Sequence, residues 1–323
     1  MSMPMRCCLV LLGFCAAALA GAAQRAAPLR VFGNMSTLEL APVLLAAQKM
    51  GPESVTVSNG GIPNLFDASA ADVATNAETQ ALRQSVEHPN LRIIFTVAEG
   101  FYRIVAKKSA GIATLKDLRG KRIATVPNTS SAYYLHRMLA TAGLGEQDVT
   151  VVPIVPLSRM PEALRAGEVD AVTVWEPEIQ NVADLLGTDA IVFQERAVYR
   201  ELFNLNTTTE KLADPVKRRQ IVAFVAELIK SSERIRVDAR DAIPLVSGAS
   251  GFDAALIRKV WQEEGYSGTL VKDLTDVMVD EEGWLADAGK RPARSRAALG
   301  GFVDPSIRLE ALALLSSPPV RAP

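Results

Sequence analysis

Thr114–Leu144, TLKDLRGKRIATVPNTSSAYYLHRMLATAGL, and Val149–Pro177, VTVVPIVPLSRMPEALRAGEVDAVTVWEP, decide how this chain folds. Thr114 is placed to cap a short helix through Leu118, and Gly120 sits where a helix stops in the left-handed conformation. Lys121 to Val126 is an apolar, partly β-branched strand that Pro127 ends. Asn128-Thr129-Ser130-Ser131 is a polar turn before a helix carrying Leu135, Leu139 and Ala142 on one face, closed by Gly143. Such a junction aims free backbone N–H groups and the positive end of a helix dipole at one point. The hydroxyls of Thr129, Ser130 and Ser131 add donors there, so an anion is expected to bind without a cationic side chain. The plainer alternative is that Ser130 or Ser131 only caps the helix.

In order along the chain, LKDLRGKRIATVPNTSSAYYL, a GL ending and EALRAGEVDAVTVWEP resemble the solute-binding proteins of ABC importers for nitrate, sulfonates, taurine and thiamine-pyrimidine precursors, the NMT1/THI5-like family. The series spans most of the middle of the chain. The resemblance implies an α/β fold of the type II periplasmic-binding kind, two α/β lobes joined by a two-strand hinge. The first lobe would comprise residues 28–107 and 195–323, and the second 108–194. It further implies a small anionic or zwitterionic solute, sulfonate- or taurine-like, held in the cleft by hinge closure. The partners would be an ABC permease and its ATPase, with the binding protein a monomer that is not an enzyme and needs no cofactor. The family carries a longer segment, rich in Phe and Gly, where this chain has only AAQKMGPESV after its first helix.

Composition agrees with a globular protein of two modest domains: 323 residues, 49% hydrophobic and 22% charged. A formal net charge of -1 gives no electrostatic reason to expect nucleic acid as a partner. Arg6 followed by CCLVLLGFCAAALA, with small residues from Ala18 to Ala23, reads as a signal peptide over residues 1–23, cleaved near 20–24 to release a periplasmic protein. Gly13-Phe14 before Cys15 puts a bulky ring where a lipoprotein motif wants a small residue, so no lipid anchor is expected. All three cysteines lie in this leader, leaving no disulfide, thiol nucleophile or cysteine metal ligand after it.

Leu29–Gly33 is a first strand, and Ser36 and Glu39 have capping-box spacing. Pro42 moves the start of the helix to near Ala41. Strands at 54–57, 72–75 and 91–97 alternate with helices at 63–68 and 78–87, which argues for a largely parallel sheet with ligand beyond the strands' carboxyl ends. Phe101–Lys107 reads as a strand leaving the first lobe. Strands at 149–154, 169–174 and 190–193 and a helix at 159–166 continue the second. Helices are expected from Pro215, over 253–264 and over 271–288, with Trp261 and Trp284 as core residues.

The expected ligand-binding residues are Asn34, Ser36, Thr37, Asn76, Asn128, Thr129, Ser130, Ser131, Tyr133, Trp175 and Glu176. Trp175 can stack on a flat ligand, and Glu176 can accept hydrogen bonds from an amine, unless it caps the following helix. A carboxylate beside a bound anion is costly, so Glu176 favours a ligand with a donor as well as a negative group. Arg103 either meets an anionic head or braces the lobes. No catalytic or metal site is expected, because no nucleophile elbow, H-E-x-x-H, Walker A or G-x-G-x-x-G pattern occurs and neither histidine has a second ligand at metal spacing. Three alternatives remain open at this stage: a pyrimidine-precursor binding protein, an enzyme or sensor on the same scaffold, and a non-binding export protein.

Overall fold

The structure, a computed structural model, describes residues 26–317. The leader expected over residues 1–23 lies outside the described residues. The chain opens with β1 (Leu29–Gly33), α1 (Ala41–Met50), β2 (Val55–Asn59), β3 (Val73–Ala77), α2 (Glu78–Gln84) and β4 (Leu91–Gly100). It continues with β5 (Arg103–Lys107), β6 (Arg122–Thr125), α3 (Ser130–Thr141), β7 (Thr150–Pro153), α4 (Met160–Ala166), β8 (Ala171–Val174), α5 (Glu178–Leu186) and β9 (Ala190–Phe193). It returns through β10 (Glu201–Thr208), α6 (Thr209–Ala213), α7 (Pro215–Val237), α8 (Ala242–Ser250), α9 (Ala254–Val260), β11 (Glu264–Gly265), α10 (Leu274–Ala288), α11 (Arg296–Gly300) and α12 (Ser306–Ser316).

Two sheets result. The first has the order β11-β4-β10-β3-β1-β2 and the second β7-β6-β8-β5-β9. The strand over 103–107, read from sequence as leaving the first lobe, is bonded to β8 and β9 and belongs to the second sheet. The chain therefore crosses at Phe101-Tyr102, before β5, and returns through residues 194–200. Each sheet is not simply parallel, because the first strand after each crossing runs against its neighbours: β5 in the second sheet, β10 in the first.

β10 is not among the strands expected from sequence. All eight of its residues are buried, yet Asn204 and Asn206 break the apolar pattern that marks a central strand. Two register shifts against β4 explain them. At these irregularities Asn204 Nδ2 donates to Leu202 O (2.7 Å), and its Oδ1 accepts from Thr96 Oγ1 (2.9 Å); Asn206 Nδ2 donates to Asn204 O (2.9 Å). The amides thus take up ladder groups that a bulge leaves unpaired.

Helices cover both sheets. α1 and α7 pack together and bury Leu45, Ala46, Val225 and Leu228 against the face of the first sheet. α7 starts where Asp214 Oδ1 accepts from Val216 N (2.8 Å), with Pro215 at its first position. In the second lobe Tyr134, Leu135, Met138 and Leu139 of α3 pack on Ile104 and Ile123. Trp261 packs on the first-lobe core beside Tyr266. Trp284 instead sits between lobes: its ring centroid is 5.4 Å from that of Tyr133, and its Nε1 donates to Glu146 Oε1 at 2.9 Å. No helix among the described residues is long and apolar enough to cross a membrane.

Candidate functional site

A cavity of about 470 Å³ lies between the lobes, at the carboxyl ends of β1, β2 and β3. The chain after β1 supplies Asn34, Thr37 and Glu39, the end of β2 supplies Asn59, Gly60, Gly61 and Asn64, and β3 and α2 supply Asn76 and Gln80. β10, running the other way, brings Glu201 and Phe203 to the same end. The second lobe contributes Thr129 and Ser130 from the start of α3 and Trp175 after β8, and Tyr102 enters from the crossing.

Six of the expected residues meet there: Asn34, Thr37, Asn76, Thr129, Ser130 and Trp175. Five are placed elsewhere. Ser36 is exposed and only completes a turn, its N–H donating to Asn34 Oδ1 at 3.0 Å. Ser131 is buried behind the turn, with its hydroxyl 2.9 Å from Thr125 Oγ1 and 3.0 Å from Thr129 Oγ1. Tyr133 packs in the second core edge-on to Tyr199. Glu176 points away from the cavity into an ion pair with Arg103, whose guanidinium also donates to Gln180 Oε1 at 3.1 Å. Both partners belong to the second lobe, so Arg103 braces that lobe internally. Burial pushes the Glu176 carboxyl up to about 7, although the adjacent guanidinium works the other way.

Asn128 sits on the rim with φ 58°, a left-handed conformation that Asn tolerates better than most residues. Its carbonyl accepts from Gln80 Nε2 (3.1 Å) and Arg83 NH1 (3.3 Å) of α2, on the facing lobe. Beyond the cavity, Lys259 of α9 reaches Asp184 of α5 at 2.6 Å, so further contacts bridge the two lobes.

Of the groups at the floor, Tyr102 is a secondary candidate from sequence, and the sequence assigns the two carboxyls no binding role. Glu39, at capping-box spacing from Ser36, is 2% exposed and lines the cavity instead. Its carboxyl rises to about 7 because burial removes it from water. Glu201 is equally buried, and desolvation together with the charge of Glu39 holds its carboxyl well above the usual range. Tyr102 joins the two lobes: its hydroxyl donates to Glu201 Oε2 (2.6 Å) and lies 2.7 Å from Ser130 Oγ. One available signal was a lone Glu inside the apolar run Leu38-Glu39-Leu40. For Glu201 none existed, because its position depends on β10 entering a sheet formed by residues more than a hundred positions earlier.

The asparagine wall has a definite polarity. Asn34 Oδ1 accepts from Ser36 N (3.0 Å), Asn59 Oδ1 from Met35 N (3.1 Å) and Asn76 Oδ1 from Ile62 N (2.8 Å). With each oxygen tied to the backbone, the amides have their NH2 groups left as donors. Gly61 permits this approach, since a Cβ there would fall 2.3 Å from Asn76 Oδ1. Among the described residues no group of three or more His, Cys, Asp or Glu is arranged to hold a metal ion.

A family model described as NMT1/THI5 like matches residues 54–226. No curated protein matches the chain. Among solved structures, the alkanesulfonate-binding protein SsuA of Xanthomonas axonopodis pv. citri, bound to MOPS, is 19% identical with a TM-score of 0.68, covering 88% of this chain and 100% of its own. The periplasmic nitrate-binding protein NrtA of Synechocystis PCC 6803 is 13% identical with a TM-score of 0.69, covering 90% of each chain. The desulfurization enzyme DSZB is 14% identical with a TM-score of 0.60, covering 88% of this chain and 99% of its own. At these identities the likeness is one of fold, and the fold is that of periplasmic binding proteins.

Proposed function

The chain belongs to the NMT1/THI5 like family, and from that premise we propose that it is the solute-binding component of an ABC importer. In this reading it captures a small anionic or zwitterionic solute between its lobes and delivers it to a permease and its ATPase. One observation carries the proposal: the cavity at the carboxyl ends of β1, β2 and β3 is walled by polar groups from both lobes, with Tyr102 of the crossing at its base. Ligand contacts made only when both walls are close favour the closed arrangement by differential affinity. The Asn128 carbonyl, held by Gln80 and Arg83, would then latch the rim. Thr129, Ser130 and the three asparagine amides are the groups that would hold acceptor atoms of the solute, and Trp175 would cover its body.

We place the lobe boundaries where the sheets divide, with 26–100 and 201–317 in one lobe and 103–193 in the other. The leader would be removed near residues 20–24, leaving a periplasmic monomer that works without a cofactor. The reading as a binding protein rests on walls of amides, hydroxyls and an indole, which suit holding a solute more than reacting with it.

A thermal-shift screen of ligand-free protein against sulfonates, taurine, nitrate, amines and aminopyrimidines tests the proposal. Ligand at a hundredfold over its Kd adds about 2.7 kcal/mol, a rise of a few degrees in Tm. The rise should vanish in Trp175→Ala. No shift with any compound class, in protein shown by native mass spectrometry to carry no ligand, would overturn the proposal.

A further inference from the structure

Three of the buried carboxylates in this protein have a cation of their own. Asp72 meets Lys211 (2.9 Å) and Lys217 (2.8 Å), Glu282 meets Arg291 (2.5 Å) and Arg294 (2.8 Å), and Glu176 meets Arg103. Among the described residues Glu39, Glu78, Glu178, Glu201 and Glu281 are buried with none, and of these only Glu39 and Glu201 line the cavity. Glu39 and Glu201 are 2% and 3% exposed, and no ion pair to either occurs among the described residues. Neither Lys nor Arg lines the cavity. Glu39 Oε2 is buried without a hydrogen-bond partner. Glu201 has Tyr102 for one oxygen, but a phenol neutralises no charge.

We propose that the solute is recognised through a positively charged nitrogen, a primary ammonium or an amidinium, held by Glu39 and Glu201. This rests on the cleft being a solute site and specifies what the site selects. Such a group supplies the donors and the charge that the two carboxyls lack, in a water-poor setting where charge-assisted hydrogen bonds are strong. Trp175 lines the opposite wall, where an indole face suits the body next to a cation. The amide donors of Asn34, Asn59 and Asn76 are then available for an acceptor elsewhere on the same solute. A plain anion would meet like charge at the carboxyls unless both stayed protonated. The carboxyls are not grouped as metal ligands, which favours nitrogen over a metal ion as the cation.

Titration calorimetry of the purified, ligand-free protein at pH 7.5 with ethanesulfonate, nitrate, taurine, ethanolamine and benzamidine tests this. Binding is expected for at least one of the three nitrogenous probes and for neither plain anion. Glu39→Gln and Glu201→Gln, which keep shape and remove charge, should each weaken it by about tenfold or more. Circular dichroism and an unchanged or raised Tm would show that both variants fold. The inference is overturned if ethanesulfonate or nitrate binds more tightly than the nitrogenous probes, or if the glutamine variants retain or gain affinity; importer function would survive either result. It is also overturned if none of the nitrogenous probes binds, and the wider screen then decides separately whether the solute-binding reading falls too.

Discussion

At the scale of single residues, the same side-chain type does opposite things depending on what the fold places beside it. Glu176 and Glu39 are both buried carboxyls pushed up to about 7 by desolvation, but one faces Arg103 and the other the cavity. Removing Arg103 leaves Glu176 buried without a cation, but its carboxyl can neutralise itself by taking up a proton, so Arg103→Met should destabilise the protein by about 1–2 kcal/mol in urea unfolding. Glu176→Gln should cost clearly more, because it strands a largely buried guanidinium that cannot shed its charge, whereas Glu176 without Arg103 can hold a proton. Equal losses for the two would show that the pair acts as an ordinary salt bridge. A second residue-scale prediction concerns Gly61. Its extra methyl in Gly61→Ala would collide with Asn76 Oδ1, the acceptor for Ile62 N–H. Solute affinity should fall while Tm changes little, read by calorimetry and thermal melting together. None of these neighbours is adjacent in sequence, and for that reason Glu39 was readable only as a capping residue.

Elements were far more legible than side-chain partners. β1 and β9 fall where their apolar runs begin and end, and α1 starts at Ala41, where Pro42 required it. α3 begins one residue after Thr129, from the polar turn that marks it. These outcomes depend on local chemistry: β-branched residues, proline, and hydroxyls at helix starts. β10 was missed because its interior asparagines have meaning only opposite the irregular β4. α2 and the turn before α3 face each other across the cavity mouth, where Gln80 and Arg83 donate to the Asn128 carbonyl. A double variant, Gln80→Ala with Arg83→Ala, should loosen this rim contact. Its solute dissociation rate should rise by several-fold in stopped-flow fluorescence, with association nearly unchanged. An unaltered dissociation rate would remove the rim from the mechanism.

For the whole molecule, the balance of buried acids predicts an unusual pH response. Glu39 and Glu176 rise to about 7, and burial holds Glu201, Glu264 and Glu281 well above the ordinary range. Such groups keep their protons in the folded state after the unfolded chain has released them above about 4.5. Their contribution to stability is complete below that pH and is lost as pH rises toward 7 and beyond. Glu282 acts in reverse: burial opposes its ionisation, but Arg294 and Arg291 hold it at about 2, so its contribution fades as pH falls below 4.5. The ligand-free protein should therefore melt highest near pH 5 and lower at pH 8, in scanning calorimetry at constant ionic strength. A Tm that rises from pH 5 to pH 8 would contradict this balance.

What the sequence determined by itself was the alternation of strands and helices and the position of the turn at Asn128–Ser131, because these follow from periodicity and capping; the two-lobed class came from the resemblance that its series of motifs bears to a known family. Tertiary structure alone decided which lobe owns Arg103–Lys107, that Glu176 is tied to Arg103, and that Glu39 and Glu201 share one cavity. Those are matters of pairing between distant segments. A strand's own residues do not specify its neighbours, and a carboxyl's charge state depends on what those neighbours bring within reach.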